Sequence, residues 1–141
     1  MSRAEALSFA PGMSETTVAD VMSTDVLTIE PARTLADAAR EMGERNIGAV
    51  VVVDPEQPGP GIVTERDVSR AVGEGRDPTA EAVVDHVAAS ASYASPDWPL
   101  ADAAKAMVSG GFRHLVVVDG TDLLGILSMR DVVRAWSEAA S

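Results

Sequence analysis

Gly61-Ile62-Val63-Thr64-Glu65-Arg66-Asp67-Val68 returns 64 residues later as Gly125-Ile126-Leu127-Ser128-Met129-Arg130-Asp131-Val132. Each copy reads as an aliphatic strand running straight into a helix, with a hydroxyl at the junction and a carboxylate one turn inside. Working outward, Val51-Val52-Val53-Asp54 returns as Val116-Val117-Val118-Asp119, at an offset of 65. Leu35-Ala36-Asp37-Ala38-Ala39-Arg40-Glu41-Met42 returns as Leu100-Ala101-Asp102-Ala103-Ala104-Lys105-Ala106-Met107 at the same offset. The missing residue falls in the second hairpin loop. The chain is a tandem duplication, and duplicated halves bury faces against each other, leaving two related clefts at the seam.

The flanking residues supply the remaining elements. Thr16-Thr17 caps a short helix through Val18, Val21 and Met22. Val26 to Ile29 reads as a short strand ended by Pro31. Thr34 caps a strong helix whose Leu35, Ala38, Ala39 and Met42 share one face. Ala49 to Val53 is a continuous apolar run, the mark of a strand buried on both faces. Ile62-Val63 is its hairpin partner across the Pro55–Pro60 loop, and Glu65 to Val72 is helical until Gly73-Glu74-Gly75. The second half repeats the order: a short helix near Glu81–Val87, a strand near Ser92–Ala94, and a helix from Pro99 to Ser109. Strands His114–Val118 and Leu123–Leu127 and a helix from Met129 to about Ala139 follow. The expected fold is α/β (α+β), a tandem pair of β-α-β-β-α repeats with pseudo-two-fold symmetry. Residues 1–15 form an arm, 16–77 the first repeat and 78–141 the second, the two packing as one module.

At 141 residues each half is too small to bury a comfortable core alone. Hydrophobic residues make up 46% and aromatics only 4%, so the core must be aliphatic. A net charge of −11 argues against nucleic acid, whose phosphates need a basic face. It leaves room for a small anionic ligand held by a few local donors. With no cysteine, disulfides and thiolate metal sites are excluded, and two isolated histidines, His86 and His114, make a poor metal site. No apolar run is long enough for a membrane helix or a signal core, so a cytoplasmic protein without a membrane role is expected.

The repeated junction has a legible chemistry. Unpaired N–H groups at a helix start attract anions, and Thr64 or Ser128 adds a hydroxyl there. Ionised Asp67 or Asp131 only accepts hydrogen bonds, which suits the paired hydroxyls of a ribose. The pair therefore matches a nucleotide. Thr/Ser-x-x-Asp is equally a helix-capping arrangement that binds nothing, and both readings stand on the residues alone.

In order along the chain, these pieces resemble the cystathionine-β-synthase (CBS) domain family, from Val18 to Trp136. They are Val18-Ala19-Asp20-Val21-Met22, the Leu-x-x-Ala helices, Gly111-Phe112-Arg113-His114-Leu115-Val116-Val117-Val118-Asp119 and the two Gly-hydrophobic-x-Thr/Ser-x-x-Asp elements. The resemblance implies adenosine-containing ligands in clefts between the repeats. It lines the Asp131 cleft with Met22, Val26, Leu27, Gly48 and Ala49, with Ser128 beneath the phosphates. It lines the Asp67 cleft with the strand near Ala91–Tyr93, Phe112 and Arg113, with Thr64. Arg113 and His114 stand where related modules carry basic phosphate contacts. This chain departs from the pattern: Ala49 is the counterpart of His114, valines replace a strand proline at 51 and 116, and Trp98 is the counterpart of Arg33. Unequal clefts are expected.

The function expected from this resemblance is a regulatory or sensor module, not an enzyme. Its ligand class is AMP, ADP, ATP, NAD or S-adenosylmethionine, none of them a required cofactor. Its partners are a second copy of the chain and a regulated protein of unspecified identity. The alternative is a dimer of the same fold that binds no nucleotide and acts as a stress-associated adaptor.

Overall fold

Thr34 and the apolar spacing behind it set the first long helix, and the rest of the first repeat follows from where that helix leaves the chain. The computed structural model describes residues 15–57, 59–87 and 92–139. The expected arm, apart from Glu15, and the expected cleft residue Ala91 lie outside them. The described elements are α1 (Val18–Val21), β1 (Thr28–Ile29), α2 (Leu35–Arg45), β2 (Ala49–Val52), β3 (Gly61–Thr64) and α3 (Glu65–Gly73). A 3-10 turn, Val83–His86, follows, and then β4 (Tyr93–Ala94), α4 (Leu100–Gly110), β5 (His114–Asp119), β6 (Asp122–Ser128) and α5 (Met129–Ala139). The β-α-β-β-α order occurs twice, as the duplication requires.

Each repeat supplies one three-stranded sheet, ordered β1-β2-β3 and β4-β5-β6. The first pair is parallel, because a helix carries the chain back between its strands, and the second is an antiparallel hairpin. Sequence and structure differ at three edges. The strand expected from Val26 starts only at Thr28, because Leu27 already contributes its carbonyl to the Val51 N–H at 2.9 Å and Val26 has no ladder partner. Val53 is 51% exposed, since β3 begins at Gly61, which pairs with Val52. The helix expected over 81–87 is the single 3-10 turn.

Two compact units result. One is contiguous, Asp25–Ala91; the other joins the chain up to Thr24 to Ser92 and beyond. The contiguous unit buries Leu27, Ile29, Leu35, Met42, Val50, Val52, Val63 and Val83, and the composite unit Val18, Leu100, Met107, Leu115, Val117, Leu127 and Val132. Every buried side chain among the described residues is apolar and aliphatic.

The short helices pack out of sequence order. In the composite unit, Val18 N–H donates to the Trp98 carbonyl, Ala19 N–H to that of Pro96 and Leu100 N–H to that of Thr16, at 2.9, 2.9 and 2.8 Å. In the contiguous unit, Val83 donates to Arg33, Val84 to Pro31 and Leu35 to Glu81, at 2.8, 3.2 and 3.0 Å. These are the same three bonds, 65 residues apart. Two glycines admit the incoming segments. A Cβ on Gly61 would overlap the Val87 side chain, and one on Gly125 would lie 2.5 Å from the Ser23 carbonyl oxygen and 3.0 Å from Met22 Sδ. The repeated glycine is therefore a packing requirement.

Candidate functional site

In the contiguous unit, β3 ends at Thr64, which is extended (φ −112°, ψ 165°) and serves as N-cap of α3. Thr64 N–H donates to Asp67 Oδ2 at 2.8 Å, the Thr64 hydroxyl donates to the same oxygen at 3.0 Å, and Asp67 N–H donates to Thr64 Oγ1 at 3.3 Å. In the composite unit, Ser128 N–H donates to Asp131 Oδ2 at 2.9 Å and Asp131 N–H to Ser128 Oγ at 3.1 Å. Both junctions are capping boxes.

They are not alone in this. Thr34 and Asp37 exchange the same bonds at the start of α2, and Thr17 and Asp20 do so at α1. Capping therefore accounts for part of the chemistry at all four places. What separates Thr64 and Ser128 from the others is the strand that feeds directly into the helix; their carboxylates, like that of Asp20, also keep acceptor capacity. A carboxylate offers about four lone-pair sites, and the cap occupies one oxygen.

The electrostatics differ between the four. The Arg33 guanidinium, 3.0 Å from Asp37, together with the Thr34 N–H and hydroxyl, holds the Asp37 carboxyl well below the usual carboxylate range. Arg40 adds a second contact at 3.3 Å. Asp20 is lowered by hydrogen bonds from the Thr17 backbone and then its side chain. Asp131 has Arg134 Nη1 at 4.0 Å from Oδ1, a neighbour one turn on that the motif reading missed. Its signal was an i,i+3 Asp–Arg spacing.

Strand register decides which other predicted residues join each junction. His114 lies directly across from Ser128, and Ala49 directly across from Thr64. The residue before each is tied to its junction: Met129 N–H donates to the Arg113 carbonyl at 2.8 Å and Glu65 N–H to the Gly48 carbonyl at 3.0 Å. Phe112 and Met22 are half-buried against the core of the composite unit. Val26 is half-buried, while Leu27 and Ala49 are 8% and 5% exposed. Thus Met22, Phe112, Arg113, His114, Ser128 and Asp131 belong to one unit, and Val26, Leu27, Gly48, Ala49, Thr64 and Asp67 to the other.

His86, to which the sequence assigned nothing, has a partner. Its Nε2 is 3.2 Å from Glu81 Oε1, which Arg76 Nη1 also reaches at 3.1 Å. No helix among the described residues is long and apolar enough to cross a membrane.

The family model described as CBS domain matches residues 18–74 and 84–138. An uncharacterized 17.7 kDa protein of Acidianus ambivalens is 36% identical over 121 residues, covering 85% of this chain and 73% of that one. A putative signal-transduction protein with CBS domains from Burkholderia ambifaria superposes with a TM-score of 0.78 at 33% identity, over 85% of this chain and 93% of that one. Two more distant structures, each 23% identical, share the fold. The CBS domain pair of the protein MJ0100 was crystallised with 5′-methylthioadenosine and S-adenosyl-L-methionine, with a TM-score of 0.77 over 87% of this chain and 97% of that one. The other, from Pyrobaculum aerophilum, is complexed with AMP, with a TM-score of 0.74 over 87% of this chain and 99% of that one.

Proposed function

The chain belongs to the CBS domain family, and from that premise we propose that it is a regulatory module whose two Thr/Ser–Asp junctions bind an adenosine-containing ligand. The observation that carries this reading is the repeated junction itself: a strand, a hydroxyl and a carboxylate in the same geometry in both units. The helix N-terminus and the Thr64 or Ser128 hydroxyl face an anion or a polar sugar edge, and Asp67 or Asp131 accepts from the ribose hydroxyls. Arg113 and His114 flank the Ser128 junction as phosphate contacts, with Met22 as an apolar neighbour, and Phe112 keeps the place the resemblance gives it in the Asp67 cleft. Gly48, Ala49, Val26 and Leu27, which the resemblance assigns to the Asp131 cleft, supply small and aliphatic surface suited to a base. The ligand class is AMP, ADP, ATP, NAD, 5′-methylthioadenosine or S-adenosylmethionine, the solved relatives being complexed with members of it.

A module of this kind acts by changing its contacts with another protein or with a second copy of itself. Val72 on α3 and Val133 and Trp136 on α5 are 53, 53 and 48% exposed, apolar surface suited to a homodimer. The adaptor reading, a dimer without ligand, draws support from the capping bonds, which satisfy Thr64, Asp67, Ser128 and Asp131 with nothing bound.

A thermal-shift panel of AMP, ADP, ATP, NAD, 5′-methylthioadenosine and S-adenosylmethionine, with light scattering on each mixture, separates the two. At 100 times its dissociation constant a ligand adds about 2.7 kcal/mol of stability. A shift with at least one compound is expected on a species of dimer mass. No shift with any of them discards the ligand-binding reading in favour of the adaptor, and a monomer mass discards the dimer.

A further inference from the structure

We infer that Met22 is an oxidation site whose sulfoxide releases the end of α1 from the composite unit, so that a peroxide loosens one repeat and leaves the other closed. Oxidation at this residue does not depend on whether any ligand binds.

α1 is held at its start by Val18 N–H on the Trp98 carbonyl and Ala19 N–H on that of Pro96, both at 2.9 Å. Its end is held where Ser23 and Ile126 exchange backbone bonds at 2.9 and 3.0 Å. Just before Ser23, the Met22 thioether lies against Gly125, so close that a Cβ there would stand 3.0 Å from Sδ and 3.3 Å from Cγ. The contiguous unit repeats this seat with another occupant, Val87 against Gly61. A valine has no atom that a mild oxidant attacks, and a thioether has one.

The duplication also sorts the other methionines of the described residues. Met42 and Met107 are each other's counterparts and are 3% and 1% exposed, out of an oxidant's reach in the folded chain. Met129 is half-buried, but its counterpart is the exposed Glu65, so that place accepts a polar group. Met22 is half-buried too, and its counterpart Val87 is apolar. Of these four, Met22 alone is both accessible and seated where the fold repeats an apolar contact.

The reaction is a two-electron oxygen transfer. A lone pair of Met22 Sδ attacks one oxygen of hydrogen peroxide and the O–O bond breaks. That oxygen stays on sulfur, and its hydrogen passes to the departing hydroxide, which leaves as water. Sulfur is oxidised, the peroxide is reduced, and an apolar side chain becomes polar and larger. The new oxygen either presses into Gly125 or carries the side chain out to water, and the contact with Gly125 ends in both cases. Nearby amides offer it nothing. Met22 N–H is bonded to the Val18 carbonyl at 2.8 Å, and those of Ser23 and Ile126 to each other's carbonyls.

The test treats the full chain with hydrogen peroxide, following oxygen addition at each methionine by mass spectrometry and amide exchange by NMR. Met22 should gain oxygen ahead of Met42 and Met107. Exchange at Ser23 and Ile126 should then quicken about tenfold or more, the scale of a polar group left unsatisfied, with Ile62 and Val63 unchanged. A methionine sulfoxide reductase should restore the slow exchange, which reads the same change on the unmutated chain. Met22→Val, which copies the Val87 contact, should keep its protection in peroxide, and Met129→Leu should respond as wild type does. Met22 left unoxidised in the folded chain, unchanged exchange at Ile126 once Met22 carries oxygen, or a response that survives in Met22→Val overturns this role.

Discussion

Glu41 on α2 places Oε2 out of reach of solvent with no hydrogen-bond partner among the described residues. The duplication supplies the control, because the matching residue on α4 is Ala106. A buried acceptor left unmade costs about 1–3 kcal/mol, and alanine is the better helix former. Glu41→Ala should therefore raise the urea midpoint, by about 1 kcal/mol in stability, with the slope unchanged; a lowered midpoint would show that Glu41 makes a contact that matters. At this scale the sequence was informative about chemistry and silent about allegiance. Thr64, Asp67, Ser128 and Asp131 were legible because hydroxyl, carboxylate and strand-to-helix junction recur together. Arg134 was not, because an arginine three residues after an aspartate is ordinary on any helix surface. Nor was the burial of one Glu41 oxygen, since pattern reading places glutamate on the solvent side.

The helix starts show why motif reading alone leaves capping and binding open. Thr17, Thr34, Thr64 and Ser128 all open their helices with the same reciprocal bonds, so the motif is first a device for starting a helix. At α2 the cap is reinforced by Arg33 and Arg40, and this makes it sensitive to acid. The Asp37 carboxyl titrates lower in the folded chain than in the unfolded one. Its contribution is thus present above the unfolded value of about 3.9 and is lost as pH falls below that. Asp37→Asn should flatten the acid limb of a stability–pH profile below about pH 4 while leaving the neutral region parallel to wild type. An unchanged acid limb would remove the Arg33–Asp37 pair from the account. The long helices and both hairpins were legible from period and from glycine and proline punctuation. The strand edges were not: Val26 and Val53 have strand-like side chains but no neighbouring backbone to pair with.

The packing of the whole chain depends on bonds that no side-chain pattern announces. Val18, N-terminal to the first repeat's sheet, is fully buried with the second repeat's strands, and Val83 with the first's. Removing two methyl groups from such a site costs about 2 kcal/mol. Val18→Ala should therefore speed hydrogen exchange at Leu115 and Val117 and spare Val50 and Val63, with Val83→Ala doing the opposite. Protection lost in the adjacent repeat instead would contradict the exchange of short helices. The three backbone bonds that hold each helix were invisible in the sequence, because carbonyls and amides are common to every residue.

This exchange also gives the chain a timetable. Emerging from the ribosome at about 5–20 residues per second, α1 must wait for Ser92 and everything after it before its packing surface exists. The contiguous unit draws its own core from residues before Ala91, so its contacts become available while the rest is still being made. Nascent chains arrested once Ala91 has cleared the exit tunnel should resist protease across β2 and β3 and remain cleavable near Val18; protection at Val18 in such chains would refute the order. Until Ser92 and the strands after it have emerged, the molecule is one half with all its contacts available, carrying the unfastened first piece of the other.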